Sequence, residues 1–181
     1  MNLTLRWILL IFTLLLGYSY TVKATPCFES KHQMSSTFLK IIPTNPSYIP
    51  DKIKQDNAIR FLSKLYKNER LTLFSTDTIE FVDQGENFDS VTCNLCNKTI
   101  NIEYWQDEMD EAYKSHFKNL VFQTPCCKKK TSLNDLHYHS PAGFAKFVIS
   151  IEDAENDLSE KDLKALQAIL GIPLKIIWAH Y

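Results

Sequence analysis

The chain has 181 residues, an apolar fraction of 45%, and 20 Lys/Arg set against 21 Asp/Glu, for a formal net charge of −1. That length accommodates one domain with a real core. The charge balance lacks the basic field that marks a nucleic-acid-binding domain, so nucleic acid is not an expected partner.

With Arg6, Lys23, Lys31 and Glu29 of residues 1–33 set aside, 17 of the 20 basic and 20 of the 21 acidic side chains remain, a balance of −3. At the N-terminus, Arg6 supplies a positive charge and Trp7 to Leu16 is an apolar run broken only by Thr13. This run is short of the roughly 20 residues a membrane-spanning helix needs. Small residues around Val22-Lys23-Ala24 offer a cleavage point, so one reading is a signal peptide and an exported protein, or a membrane-anchored one if the leader is retained. Pro26 beside Cys27 argues against a lipoprotein cysteine. The other reading starts translation at Met34, makes residues 1–33 an upstream extension, and leaves a cytoplasmic protein whose paired thiols suit a reducing compartment. Both readings stand.

From Thr37 the apolar pattern changes period in order. Thr37 to Ile42 is β-rich and stops at Pro43, which reads as a first strand. After Pro50-Asp51, the spacing of Ile53, Ala58, Phe61, Leu62 and Leu65 predicts an amphipathic helix ending near Asn68. Leu71 to Thr76 reads as a second strand, with Ile79 to Val82 either extending it or pairing back on it. Near the other end, Phe144 to Ile151 alternates as a half-buried strand, with Ala145, Phe147, Ile149 and Ile151 on one face. Ser159 with Asp162 forms an acidic variant of the capping box, Leu163, Leu166, Ile169 and Leu170 supply a buried stripe, and Gly171 then Pro173 end the helix. Leu174 to Trp178 closes as a strand.

This order, strand-helix-strand, an insert, then strand-helix-strand, predicts an α+β fold of the ferredoxin-like split βαβ kind. Residues 34–181 form the single domain, with a zinc-ribbon-like insert at about 84–140. Inside the insert, Thr99 to Trp105 reads as a strand, Asp107 to His116 as a short acidic helix, and Leu120 to Gln123 as a returning strand.

Four of the five cysteines fall in two tight pairs, Cys93-Asn94-Leu95-Cys96 and Pro125-Cys126-Cys127. Four thiolates can close a tetrahedral zinc site, and a small insert with few large apolar residues is expected to gain most of its order from such an ion, on the scale of ~10–16 kcal/mol of apparent binding. Adjacent cysteines in a strand point to opposite faces, so both Cys126 and Cys127 reach one ion only if the chain turns sharply at Pro125. If only one of them binds, His137 or His139 stands as the substitute ligand. The alternatives are disulfides, either Cys93 to Cys96 or a cross-link to Cys126, or free buried thiols. Cys93 to Cys96 leads toward a predicted strand, whereas a low-pKa redox cysteine favours a helix N-terminus. Asp135, His137 and His139 form a weak candidate for a catalytic metal. Asn134-Asp135 reads more simply as turn or cap chemistry fixing a loop.

Pro125-Cys126-Cys127, Thr131-Ser132-Leu133-Asn134-Asp135-Leu136, Pro141-Ala142-Gly143-Phe144-Ala145 and Ile177-Trp178-Ala179-His180-Tyr181, with the upstream C-x-x-C, together resemble a family of small uncharacterised bacterial proteins. The likeness spans about Phe38 to Tyr181. It implies one intact domain and no established activity. It further implies a start near Met34 and a glycine after the cysteine pair, where this chain has Lys128.

No convincing nucleophile, base or phosphate loop accompanies the thiols. The expectation is therefore a non-enzymatic binding or interaction module, with a protein as partner, stabilised by structural zinc at Cys93, Cys96, Cys126 and Cys127. Thiol-disulfide chemistry in an oxidising compartment is the alternative, and a nucleic-acid-binding zinc ribbon is third.

Overall fold

Strand β1, Thr37–Pro43, carries two fully buried side chains, Leu39 and Ile41, on one face. The computed structural model describes residues 36–181; the leader readings, the start at Met34 and Cys27 lie outside these residues. Helix α1, Lys52–Leu65, begins where the Asp51 side chain accepts the Lys54 N–H, and turns Ala58 and Leu62 inward. Strand β2, Arg70–Val82, is one long strand, so Ile79 to Val82 extends it. It is irregular between Ser75 and Glu80, where five residue steps on β2 face two on its partner.

That partner is β7, Gly143–Glu152, followed by α3, Glu160–Leu170, and β8, Leu174–His180. The capping expectations hold. Ser159 Oγ accepts the Asp162 N–H, and Gly171 ends the helix in the left-handed region at φ 76°, which glycine enters without a Cβ penalty. The four long strands form one sheet in the order β2-β7-β1-β8, with every neighbouring pair antiparallel. Leu39 sits between Ile151 and Trp178, and Ile41 between Ile149 and Ile176. On that face Leu39, Ile41, Phe147, Ile149 and Ile151 pack against Ala58 and Leu62 of α1 and Leu166 and Leu170 of α3. The chain is thus mixed α+β with a largely antiparallel sheet. Ala145 departs from the expected face: it joins Ile42, Val82 and Ile177 in a separate cluster.

After β2 the chain crosses from one edge of the sheet to the other. Gly85 bridges His180, and Asn87 donates its side-chain N–H to the Trp178 carbonyl. A Cβ on Gly85 would lie 2.0 Å from the His180 carbonyl oxygen, so only glycine permits this approach. The crossing segment is held further by Tyr181, whose hydroxyl donates to Asp83 and accepts from the Lys40 amine.

The insert then comprises β3, Val91–Thr92; α2, Ile102–Tyr113; β4, Val121–Gln123; β5, Lys130–Ser132; a single 3₁₀ turn at Leu133–Asp135; and β6, His137–Tyr138. Strand β3 pairs with β6 and β4 with β5. The predicted strand at Thr99 to Trp105 is instead the entrance to α2. Ile100, Ile102 and Tyr104 alternate as residues of a strand would, but the Asn101 side chain accepts the N–H groups of both Glu103 and Tyr104 and starts a helix.

The expectation that metal supplies most of the insert's order also needs correction. Trp105, Phe117, Phe122, Leu133, Leu136 and Tyr138 form a buried cluster that includes Phe144 of β7 and Ile79 of β2. Phe81 and Phe117 both meet the Phe144 ring, at 5.1 and 5.2 Å between centroids. The Trp105 indole donates to the Tyr138 hydroxyl, which donates onward to the Leu133 carbonyl, so the polar ends of these buried rings are paired. Asn134 does fix its loop, accepting the Phe144 N–H and donating to the Thr44 carbonyl.

Candidate metal centre

The two cysteine-bearing segments are the tips of two short hairpins. A bridge between Thr92 and Thr99 frames the first, and β4 with β5 frames the second. Their backbones repeat each other. In the first, the Asn97 N–H donates to the Cys93 carbonyl and the Cys93 N–H to the Lys98 carbonyl. In the second, the Lys128 N–H donates to the Thr124 carbonyl and the Thr124 N–H to the Lys129 carbonyl. Asn97 and Lys128 both take the left-handed conformation, at φ 55° and 58°.

Position one of the turn is thus Cys93 or Thr124, position four Cys96 or Cys127, and position five Asn97 or Lys128. Lys128 holds a left-handed φ of 58°, a conformation that glycine enters without a Cβ penalty.

The sharp turn resolves the difficulty of adjacent cysteines. Cys126 and Cys127 lie inside it rather than on a strand, and both sulfurs join those of Cys93 and Cys96. All four sulfurs lie within 4.8 Å of one another. Cys96 and Cys126 are 3.2 Å apart, and Cys93 and Cys127 4.0 Å. A tetrahedral ion bound about 2.3 Å from each sulfur places the sulfurs about 3.8 Å apart, inside this range. The four sites predicted from sequence therefore come together in a cluster compatible with a metal ion. Cys93 is buried and the other three are half-buried.

Hydrogen bonds shape the sulfurs unequally. Cys93 Sγ accepts the Leu95 N–H at 3.4 Å. The Thr124 hydroxyl lies 3.1 Å from Cys127 Sγ, and this contact is the main reason the Cys127 thiol falls to about 7, with the Lys129 N–H assisting against the opposing effect of burial. At Cys96 the largest single influence, the Lys98 N–H, favours the thiolate; contact with the Cys126 thiol, burial and the other two cysteines together outweigh it and push the thiol up to about 12. A bound cation would favour the thiolate at every position. Lys98, Lys128, Lys129 and Lys130 are exposed around the tips and would offset part of the negative charge that four metal-bound thiolates would carry.

His137 and His139 are not members of the cluster. Both are exposed, on β6 and just after it, where His139 donates its backbone N–H to the Ser90 carbonyl. Asp135, His137 and His139 form no metal-binding group among the described residues. Thr124 was missed from sequence. Its signal is the spacing Thr124-x-x-Cys127, a C-x-x-C turn with threonine in the first place, and it is fully buried.

No family model, curated protein or solved structure matches the chain. The class that fold and site define is an α+β protein with a four-cysteine cluster able to hold a metal ion. No helix among the described residues is long and apolar enough to cross a membrane.

Proposed function

We propose that Cys93, Cys96, Cys126 and Cys127 hold a structural zinc ion, and that residues 34–181 form one domain serving as a non-enzymatic binding or interaction module. The observation that carries this reading is the convergence of four sulfurs within 4.8 Å from two turns of the same design. Four thiolates leave no open coordination position for substrate, which suits a structural rather than a catalytic ion. Tetrahedral sulfur also suits iron, so the identity of the ion is part of the test. The strand order β2-β7-β1-β8, with α1 and α3 on one face, supports a ferredoxin-like split βαβ architecture, and the paired hairpin tips support a zinc-ribbon-like insert at about 84–140.

Native intact mass of the purified reduced protein, before and after chelation, tests the reading. One zinc per chain is the expected result. A metal-free protein would defeat it, and an iron-loaded one would betray itself by colour. The same mass distinguishes cleavage after Ala24 from a start at Met34, and with that an exported from a cytoplasmic protein. The 3.2 Å separation of Cys96 and Cys126 favours thiol-disulfide chemistry as a second reading; native protein carrying a disulfide and no metal under non-reducing conditions would select it.

A further inference from the structure

The two turns that gather the sulfurs also gather positive charge. Lys98 follows Cys96 by two residues, Lys128, Lys129 and Lys130 follow Cys127 directly, and all four are exposed. No acidic residue lies in 93–98 or 124–130. None of the four lysines joins an ion pair among the described residues. The tips are held side by side by the Cys96–Cys126 and Cys93–Cys127 contacts and by the Thr131 hydroxyl, which donates to the Asn94 side-chain oxygen at 2.9 Å. With a divalent ion bound, four thiolates leave two negative charges, so four ammonium groups keep this end of the molecule positive.

Two further observations bear on what that charge meets. Leu95, the third residue of the first turn, is 45% exposed, an aliphatic side chain at the tip rather than in the core. Lys128 holds φ 58° at the place where the first turn has Asn97, a residue type that enters the left-handed region far more readily than lysine. A strained backbone retained at an exposed tip points to a side chain with a role.

An exposed aliphatic side chain beside four lysines suits an anionic lipid surface, where the ammonium groups meet the headgroups and the leucine enters the acyl boundary below them. Other partners fit less well. Lysine is depleted at protein–protein interfaces, and residues 93–98 and 124–130 offer no aromatic ring on which a nucleic-acid base could stack. We propose that the paired cysteine turns dock this protein on anionic membranes, with Leu95 inserted and Lys98, Lys128, Lys129 and Lys130 against the headgroups. The inference deepens the interaction-module reading above by naming a phospholipid surface as the partner.

The test uses the full chain after zinc loading. Zinc content, measured first, judges the metal reading; the place of vesicle contact judges this one. Vesicles of three parts phosphatidylcholine to one part phosphatidylserine are compared with phosphatidylcholine alone, and contact is located by hydrogen exchange. Amides of residues 94–98 and 126–130 should gain protection on the mixed vesicles and none on the neutral ones, a pattern that locates the contact whatever residues 1–33 do. Followed against lipid concentration, that protection should weaken about 5-fold in Lys128→Gly with no loss of thermal stability, and about 100-fold when Lys128→Gln, Lys129→Gln and Lys130→Gln are combined. Leu95→Ala should weaken it about 5-fold. Protection confined to residues 1–33, equal protection on neutral vesicles, or undiminished contact in the triple variant would overturn the inference. Tips protected by single-stranded RNA and not by the mixed vesicles would overturn it in favour of nucleic acid.

Discussion

The sheet with its two helices and the cysteine-bearing insert are stabilised in different ways. The body has strands of 7 to 13 residues and an aliphatic core closed by α1 and α3. The insert has strands of two or three residues, too short to persist alone, and an aromatic cluster that borrows Phe144 and Ile79 from the sheet. Its hairpin tips bring the sulfurs to the margin of that cluster, with Cys93 inside it and Cys96, Cys126 and Cys127 packed against it. Packing orders the body, whereas on the proposed zinc reading the insert combines packing at its base with coordination at its tips, so the same perturbation should act on them differently.

Metal removal is the largest way to break the comparison. Chelation should abolish hydrogen-exchange protection of the amides around Cys93 to Lys98 and Thr124 to Lys129, while amides of β1 and β7 stay protected. Loss of protection throughout would mean that the two regions unfold as one unit. Cys93→Ser should do the same, with zinc affinity falling by more than the roughly 10–100-fold typical of losing a supporting residue.

Two phenylalanines of β7 sharpen the contrast. Phe144 and Phe147 are both fully buried, the first in the insert's cluster and the second against α1 and α3. Each Phe→Ala change should cost about 3–5 kcal/mol in denaturant unfolding. Only Phe144→Ala should also weaken zinc binding, as read by competition with a chelator; equal weakening by Phe147→Ala would remove the distinction between the regions.

Smaller effects belong to the second turn. Thr124→Val removes the hydroxyl from Cys127 and should lower zinc affinity about 10-fold, with Thr124→Ser restoring it. Lys128→Gly should stabilise the protein by about 0.5–1 kcal/mol, since a side chain costs about 1–2 kcal/mol in the left-handed region and glycine gives back about half of that as unfolded-chain entropy. Thermal unfolding of the zinc-loaded variant reads this directly. No gain would mean that the tip tolerates its strain because coordination holds it.

Much of the body was legible from residues close together in the chain. The alternation of Phe147, Ile149 and Ile151, the helical spacing of Ala58 and Leu62, the Ser159 cap and the Gly171 terminus depend on local periodicity and local hydrogen bonds, which any stretch of sequence displays without reference to the rest. The cysteine pairs were legible as ligand types for the same reason. Tertiary structure alone decided the rest. Thr99 to Trp105 carries a strand-like alternation, and it becomes a helix entrance because Asn101 caps it and Trp105 finds Phe88, Phe81 and Tyr138 from distant parts of the chain. Cys126 and Cys127 reach one centre because Thr124 and Lys128 fold the tip into the same turn as Cys93 and Asn97, and the 3.2 Å meeting of Cys96 with Cys126 joins residues 30 apart in the chain. Period and capping act within a few residues, so composition and spacing can announce them; which sulfur meets which depends on closing loops through space.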